Sequence, residues 1–192
     1  MQKPEHEFGD FLLPFQVAEL GIRGCLVRLK NTVQQMTCSD AYPEEVAVLL
    51  ASTAALASAL TNGIKYAGTF TLQVQGNGLV SLLLADITSA GEIRGYAKHN
   101  CGDLNSTDKS HAMVPRLLGN GHLAFIIDQG PDKDRYQGIT ELIGSSLADC
   151  AQAYFRDTEK LETMIILCAD IGQKKCPLAG ALMIQKTPDL PI

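Results

Sequence analysis

The stretch PEEVAVLLASTAALASALTNG, Pro43 to Gly63, decides how everything around it must be arranged. Pro43 stands where a helix opens, Glu44 and Glu45 sit where the positive end of the helix dipole favours acids, and Gly63 follows the last periodic residue. Between these marks Ala, Leu, Val and small hydroxyl residues occupy every face. A helix apolar all round must be enclosed, by protein or by lipid. The run from Val46 to Leu60 is broken by Ser52, Thr53 and Ser58 and is shorter than the roughly 20 residues a bilayer crossing needs. The helix is therefore expected inside the domain. Leu49, Leu50, Leu56 and Leu60 supply bulk, while Ala51, Ala54, Ala55, Ala57, Ser58 and Ala59 let neighbouring backbones come close.

Immediately downstream the period changes from helical to two. Phe70, Leu72 and Val74 alternate with Thr69, Thr71, Gln73 and Gln75, which reads as a half-buried strand. Gly76-Asn77-Gly78 then turns the chain with residues that tolerate positive φ, and Leu79 to Ile87 follows as a nearly continuous apolar strand. A second turn leads to a third strand, Ile93 to Lys98. A dinucleotide fingerprint would require G-x-G-x-x-G opening a helix, but Ser81 stands three residues after Gly78 and the following segment has no helix cap. The glycines are expected to turn a meander, not to cradle phosphate.

The flanks carry the same pattern. Upstream, Phe11 to Ala18 and Gly24 to Leu29 read as strands, and Leu29, Val33 and Met36 share one stripe of a short helix. Downstream, His122 to Ile127 and Arg135 to Leu142 form a hairpin, Met113 to Leu118 a short helix, and SSLADCAQAYFRD an amphipathic helix opened by Ser146 and Asp149 as a capping box. Asp128, Asp132 and Asp134 lack the glycine and late glutamate of a calcium loop. Met164 to Cys168 and Ala181 to Gln185 read most simply as a hairpin of buried strands. The fold class is α+β, with mostly antiparallel sheets packed around a buried central helix and additional surface helices.

Charge and cysteine usage narrow the function classes. With 21 acidic and 16 basic residues in 192, the net charge is −5, so no positive field exists to collect nucleic acid. The N-terminus lacks the basic and apolar regions of a secretory signal, and a cytoplasmic protein without a membrane partner is expected. Cys25, Cys38, Cys101, Cys150, Cys168 and Cys176 show neither C-x-C nor C-x-x-C spacing, so zinc and thioredoxin-type chemistry have no local signature. The polar segment from His99 to Pro115 holds one enzymatic alternative, a nucleophilic Cys101 paired with His99 or His111.

GIRGCLVRL, LTNGIKYAGTFTLQVQGNGLVSLLLADI, RGYAK, LLGNGHLAFIID, DRYQGITEL and LADCAQAYFRDTEKLET resemble, in order and spacing, the core domain of the heat-shock protein 33 family, over roughly residues 8 to 186. The resemblance implies an ATP-independent holdase that binds unfolding or oxidatively damaged proteins and prevents their aggregation, and it implies no enzyme. It also implies a chaperone core over 1–186 and the start of a linker over 187–192. A C-terminal redox-switch domain, in which paired cysteines hold zinc, would lie beyond Ile192. On this reading the chain is expected to be a fragment, with no cofactor of its own and no catalytic or metal-binding residue. Unfolded client proteins and a second copy of the chain are the expected partners. The candidate residues for client binding or for exchange between two copies are Leu182, Ile184, Leu190 and Ile192, on a sheet face that a linker would otherwise cover.

Overall fold

Thirteen of the seventeen residues of the helix Glu44–Leu60 are buried in the computed structural model, which describes residues 9–37, 42–100, 112–130, 133–172 and 177–187. This helix, α2, lies between two antiparallel sheets. One has four strands in the order β1 (Phe11–Val17), β2 (Ile22–Leu29), β9 (Leu178–Lys186) and β8 (Thr163–Asp170). The other has five, in the order β5 (Ile93–His99), β4 (Val80–Thr88), β3 (Thr69–Gly76), β6 (Gly121–Asp128) and β7 (Tyr136–Glu141). The helix packs on β2, β8 and β9 from one side and on β3, β4 and β5 from the other. Two further helices, α1 (Asn31–Thr37) and α3 (Leu147–Tyr154), complete the fold. No helix among the described residues is long and apolar enough to cross a membrane.

Composition explains how α2 tolerates this position. Ala51, Ala54, Ala55, Ala57 and Ala59 are all fully buried, and their small size lets two sheets close on one helix. The hydroxyls of Thr53 and Ser58, also buried, donate back to Leu49 O at 2.7 Å and Ala54 O at 2.8 Å, so neither is left unsatisfied. At the N-terminal end Glu45 receives a two-pronged ion pair from Arg116, at 2.9 and 3.0 Å. Arg116 sits on a π-helical turn, Val114–Leu118, where the sequence suggested an ordinary helix.

The glycines of Gly76-Asn77-Gly78 turn the chain, but not for the expected reason. Neither is among the glycines with positive φ. What requires them is proximity: a Cβ on Gly76 would strike Leu118 O, and one on Gly78 would stand 2.5 Å from Leu117 O. A second Gly-Asn-Gly, 119–121, packs directly on the first. Asn77 N donates to Asn120 O at 3.0 Å, Asn120 N donates to Asn77 Oδ1 at 2.9 Å, and Gly78 N donates to Leu118 O at 2.9 Å. Gly76 and Gly121 are direct partners in the β3–β6 ladder. These two triplets therefore lock the π-helical turn against the meander.

The capping box of α3 forms as expected, Asp149 N donating to Ser146 Oγ at 3.2 Å and Ser146 N donating to Asp149 Oδ2 at 2.9 Å. A cap that the sequence did not suggest belongs to α1. The Asp10 carboxylate, twenty residues upstream, accepts from the backbone N–H groups of Asn31 and Thr32 at 2.8 Å each, from Lys30 N, and from the Thr32 hydroxyl at 2.6 Å. Partial burial works against the charge, yet these hydrogen bonds together hold the carboxyl below its usual range. The hairpin of β8 and β9 also departs from expectation. Its strands are buried on one face alone: Ile165 and Met183 face the core, while Met164 and Ile166 are exposed.

Two outcomes are expected. Ala55→Leu should overpack the helix and lower the unfolding free energy by about 1 to 3 kcal/mol in a urea titration. Asp10→Ala should cost about 1 kcal/mol at neutral pH through the lost cap. Because the folded carboxyl is depressed, the stabilisation is present above the ordinary carboxylate range and is lost as pH falls through the folded value. Urea midpoints of wild type and variant should therefore converge on acidification from pH 7 to below about 3.

Candidate functional site

The two sheets turn different faces outward. On the five-stranded sheet the outward residues of β3 are Thr69, Thr71, Gln73 and Gln75, none of them buried. Thr71 Oγ1 donates to Asp86 Oδ1 at 2.6 Å, and Arg94 Nε donates to Asp86 Oδ2 at 3.1 Å, so hydrogen bonds run across three strands. The same face is not wholly polar, since the ladders set Leu84 and Tyr96 on one side of Gln73 and Ala124 and Ile139 on the other, with Tyr96 and Ile139 exposed.

The four-stranded sheet is more uniformly apolar on its outer face. Its inward residues, Cys25, Val27, Leu29, Ile165, Ala181 and Met183, belong to the core. Strand alternation turns an equally apolar set outward. The ladders place Leu13 opposite Leu26, Leu26 opposite Leu182 and Leu182 opposite Ile166, one apolar row across all four strands. The adjoining row runs Phe15, Gly24, Ile184, Met164. Leu13, Leu26, Met164 and Ile166 are 57%, 41%, 45% and 53% exposed, although each lies within a regular strand. Phe15 lies across Gly24: a Cβ there would strike the aromatic ring. Charged groups bound the patch. Arg28 anchors one end by donating to Gly9 O at 2.9 Å, and Lys186 stands 3.9 Å from Glu162 at the other. An apolar patch rimmed by charge is the signature of a surface that binds other polypeptides.

Of the four residues singled out from the sequence, Leu182 and Ile184 lie at the middle of these two rows, half-buried because apolar neighbours flank them on both sides. Leu190 and Ile192 fall outside the described residues. Sequence reasoning missed Leu13, Phe15 and Leu26 on one side and Met164 and Ile166 on the other. A signal was present in FLLPFQV and TMIILCAD, where apolar residues occupy both alternating positions of a strand.

The enzymatic alternative gains nothing from the structure. His99 ends β5, where its ring meets Tyr42 edge-on at 6.1 Å, whereas Cys101 and His111 lie outside the described residues. Cys25 and Cys150 are buried, and burial pushes both thiols up to about 11, with the Asp149 charge adding to the effect on Cys150. Neither is a reactive thiol. No cluster of three or more His, Cys, Asp or Glu suited to a metal occurs among the described residues.

A dye that fluoresces in apolar surroundings should bind this face. Leu26→Lys with Ile166→Lys, two outward substitutions, should abolish most of its emission while leaving the far-ultraviolet circular dichroism unchanged. Undiminished emission would place the dye elsewhere.

A sequence-family model described as Hsp33 protein matches residues 10–191. The 33 kDa chaperonin of Caulobacter vibrioides is 35% identical over 181 residues, covering 92% of this chain and 60% of its own length. That of Vibrio cholerae is 37% identical over 173 residues, covering 89% of this chain and 56% of its own. The crystal structure of the 33 kDa chaperonin from Thermotoga maritima superimposes with a TM-score of 0.76 at 20% identity, over 91% of this chain and 60% of that one. The chain thus spans about 60% of the length of the relatives it matches. All of these relatives are named as chaperonins, and none lends support to a cysteine-dependent enzyme.

Proposed function

This chain belongs to the Hsp33 chaperone family, and we propose that its core is an ATP-independent holdase that captures unfolding polypeptides on the outer face of the four-stranded sheet. The observation that carries the reading is the pair of apolar rows through Leu182 and Ile184, open to solvent on a sheet whose other face packs against the core through β2, β9 and β8. A client held there needs no chemistry, only apolar surface offered to apolar surface. Apolar area buried there contributes roughly 25 cal/mol per Å², from which the cost of association is subtracted, so capture is weak and reversible. The charged rim through Arg28, Lys186 and Glu162 limits the extent of the patch and keeps the free protein in solution.

The proposal extends to assembly and regulation. A second copy is a competing occupant of the same face, so dimerisation and client capture exclude one another. In this chain the redox switch implied by the family has no paired thiols to act through, since none of the six cysteines falls in C-x-C or C-x-x-C spacing. Zinc and the switch are proposed for a C-terminal portion that relatives carry in their additional length.

Light scattering from a heat-unfolded client provides the test. The chain should suppress aggregation without nucleotide and to nearly the same extent after reduction or peroxide treatment. Leu26→Lys with Ile166→Lys should abolish suppression. Full suppression by that variant would overturn the assignment of the face, and activity seen only after oxidation would overturn the absence of a switch.

A further inference from the structure

A cavity of about 340 Å³ opens between the two sheets beside the C-terminal end of α2, where Leu60, Asn62 and Gly63 line it. Its floor is aromatic and buried: Phe70 from β3, Phe125 from β6 and Tyr154 from α3, with the Met183 thioether beside them. Phe125 and Tyr154 stand 4.6 Å apart between ring centroids, and Phe155 lies 5.5 Å from Tyr154 and 6.5 Å from Phe125. Gly138 of β7 makes the arrangement possible, since a Cβ there would run into the Tyr154 hydroxyl. Tyr136, half exposed, forms part of the mouth.

The rings converge on a carboxylate. Glu159, on the π-helical turn Phe155–Glu159 that follows α3, accepts through Oε1 from the Tyr154 hydroxyl at 2.6 Å and from the Tyr136 hydroxyl at 3.2 Å. Burial and the hydrogen bond to Glu159 push the Tyr154 hydroxyl up, so Tyr154 stays the donor to the Glu159 carboxylate. The other charged lining group, Arg23, donates to Gln185 Oε1 at 3.2 Å, and Gln185 Nε2 donates in turn to Thr163 Oγ1 at 3.1 Å, which ties the guanidinium to the sheet. Aromatic side chains beside one carboxylate, in a protein of net charge −5, offer an organic cation a ring surface and a counter-charge, with Arg23 lining the same pocket.

We propose that this pocket takes the cationic side chain of a lysine or arginine flanked by apolar residues in a bound polypeptide. The proposal rests on the chaperone reading and deepens it. Met183 and Gln185 line the pocket from the face of β9 opposite Leu182 and Ile184, so the pocket is separate from the apolar rows and takes a different part of a bound polypeptide. Apolar surface alone distinguishes clients poorly; a cation-selective pocket adds a preference for apolar segments that carry basic residues.

Calorimetric titration with 2-phenylethylamine, 2-phenylethanol and 3-phenylpropionate tests the pocket without any client. Tyrosine emission serves as a second readout, because the chain has five tyrosines and no tryptophan. The amine should bind about tenfold tighter than either analogue, and Glu159→Gln should abolish the difference. Phe155→Leu, which keeps the apolar volume but removes a ring, should weaken the amine more than the alcohol. A pair of unstructured leucine-rich peptides, one with a single lysine and one with norleucine in its place, then identifies the source. Tighter binding of the lysine peptide, lost in Glu159→Gln, supports the proposal. Equal binding of the three probes, an unchanged preference in Glu159→Gln, or equal binding of the two peptides would overturn it. Since the probe titrations need no aggregating client, failure of the pocket and failure of the holdase reading are told apart.

Discussion

The enclosure of α2 between two sheets is the constraint on which the rest of the molecule depends. A helix with apolar residues on all sides can stay in water only if it is covered on all sides, and one sheet covers half a helix. Two sheets can approach the same helix only where its side chains are short, which Ala51, Ala54, Ala55, Ala57 and Ala59 supply. The bulk needed to fill the core comes from Leu49, Leu50, Leu56 and Leu60 and from the strands, whose inward residues Phe70, Leu72, Val74, Leu83 and Leu123 close the five-stranded side. Once each sheet has committed one face to the helix, its other face is free to differ. Function resides in that freedom.

The two outer faces show how the freedom is used. On the five-stranded sheet, threonine, glutamine and the Asp86–Arg94 pair break up the outward apolar residues Leu84, Tyr96 and Ile139. The four-stranded sheet keeps apolar residues in the same geometric role; they pair with one another across the strands, yet Leu13, Leu26, Met164 and Ile166 stay largely exposed. Such an arrangement, an exposed apolar face, is the ground of the proposed binding role. It also separates two tasks in sequence space. Residues facing the helix answer to packing and residues facing out answer to binding, although they alternate along the same strands.

Much of this was legible from the residues, and what was not has identifiable causes. The central helix, the meander and the capping box at Ser146 and Asp149 are written in local signals: periodicity, turn residues and cap spacing. Leu182 and Ile184 could be singled out as a sheet face in want of cover, but Leu26 and, through it, Leu13 could not, because pairing β2 with β9 joins segments about 150 residues apart. Ile166 lies in the expected hairpin, but sequence reasoning missed its outward face. The glycines at 76 and 78 mark a turn in sequence, yet their reason is a backbone some forty residues downstream pressing on the space a Cβ would fill. Asp10 likewise caps a helix it does not adjoin. Local chemistry is readable from local sequence, whereas contacts closed by topology are not. The aromatic rings around Glu159 show the same limit, since Tyr136 and Tyr154 come from separate elements that only the fold brings together.

The four-stranded sheet is built from the first two strands of the fold and the last two, with all five strands of the other sheet lying between them in the chain. During synthesis β1 and β2 therefore leave the ribosome long before β8 and β9 exist to pair with them. A hairpin of two strands is marginal by itself in water. The meander, whose strands are neighbours in sequence, can close early, while the apolar rows through Leu26 and Leu182 form only when the far strands arrive. A nascent chain thus has the apolar residues but not the surface. On the proposed function, the capacity to hold other unfolded chains comes into being with the last pairing, when the protein has ceased to be one itself.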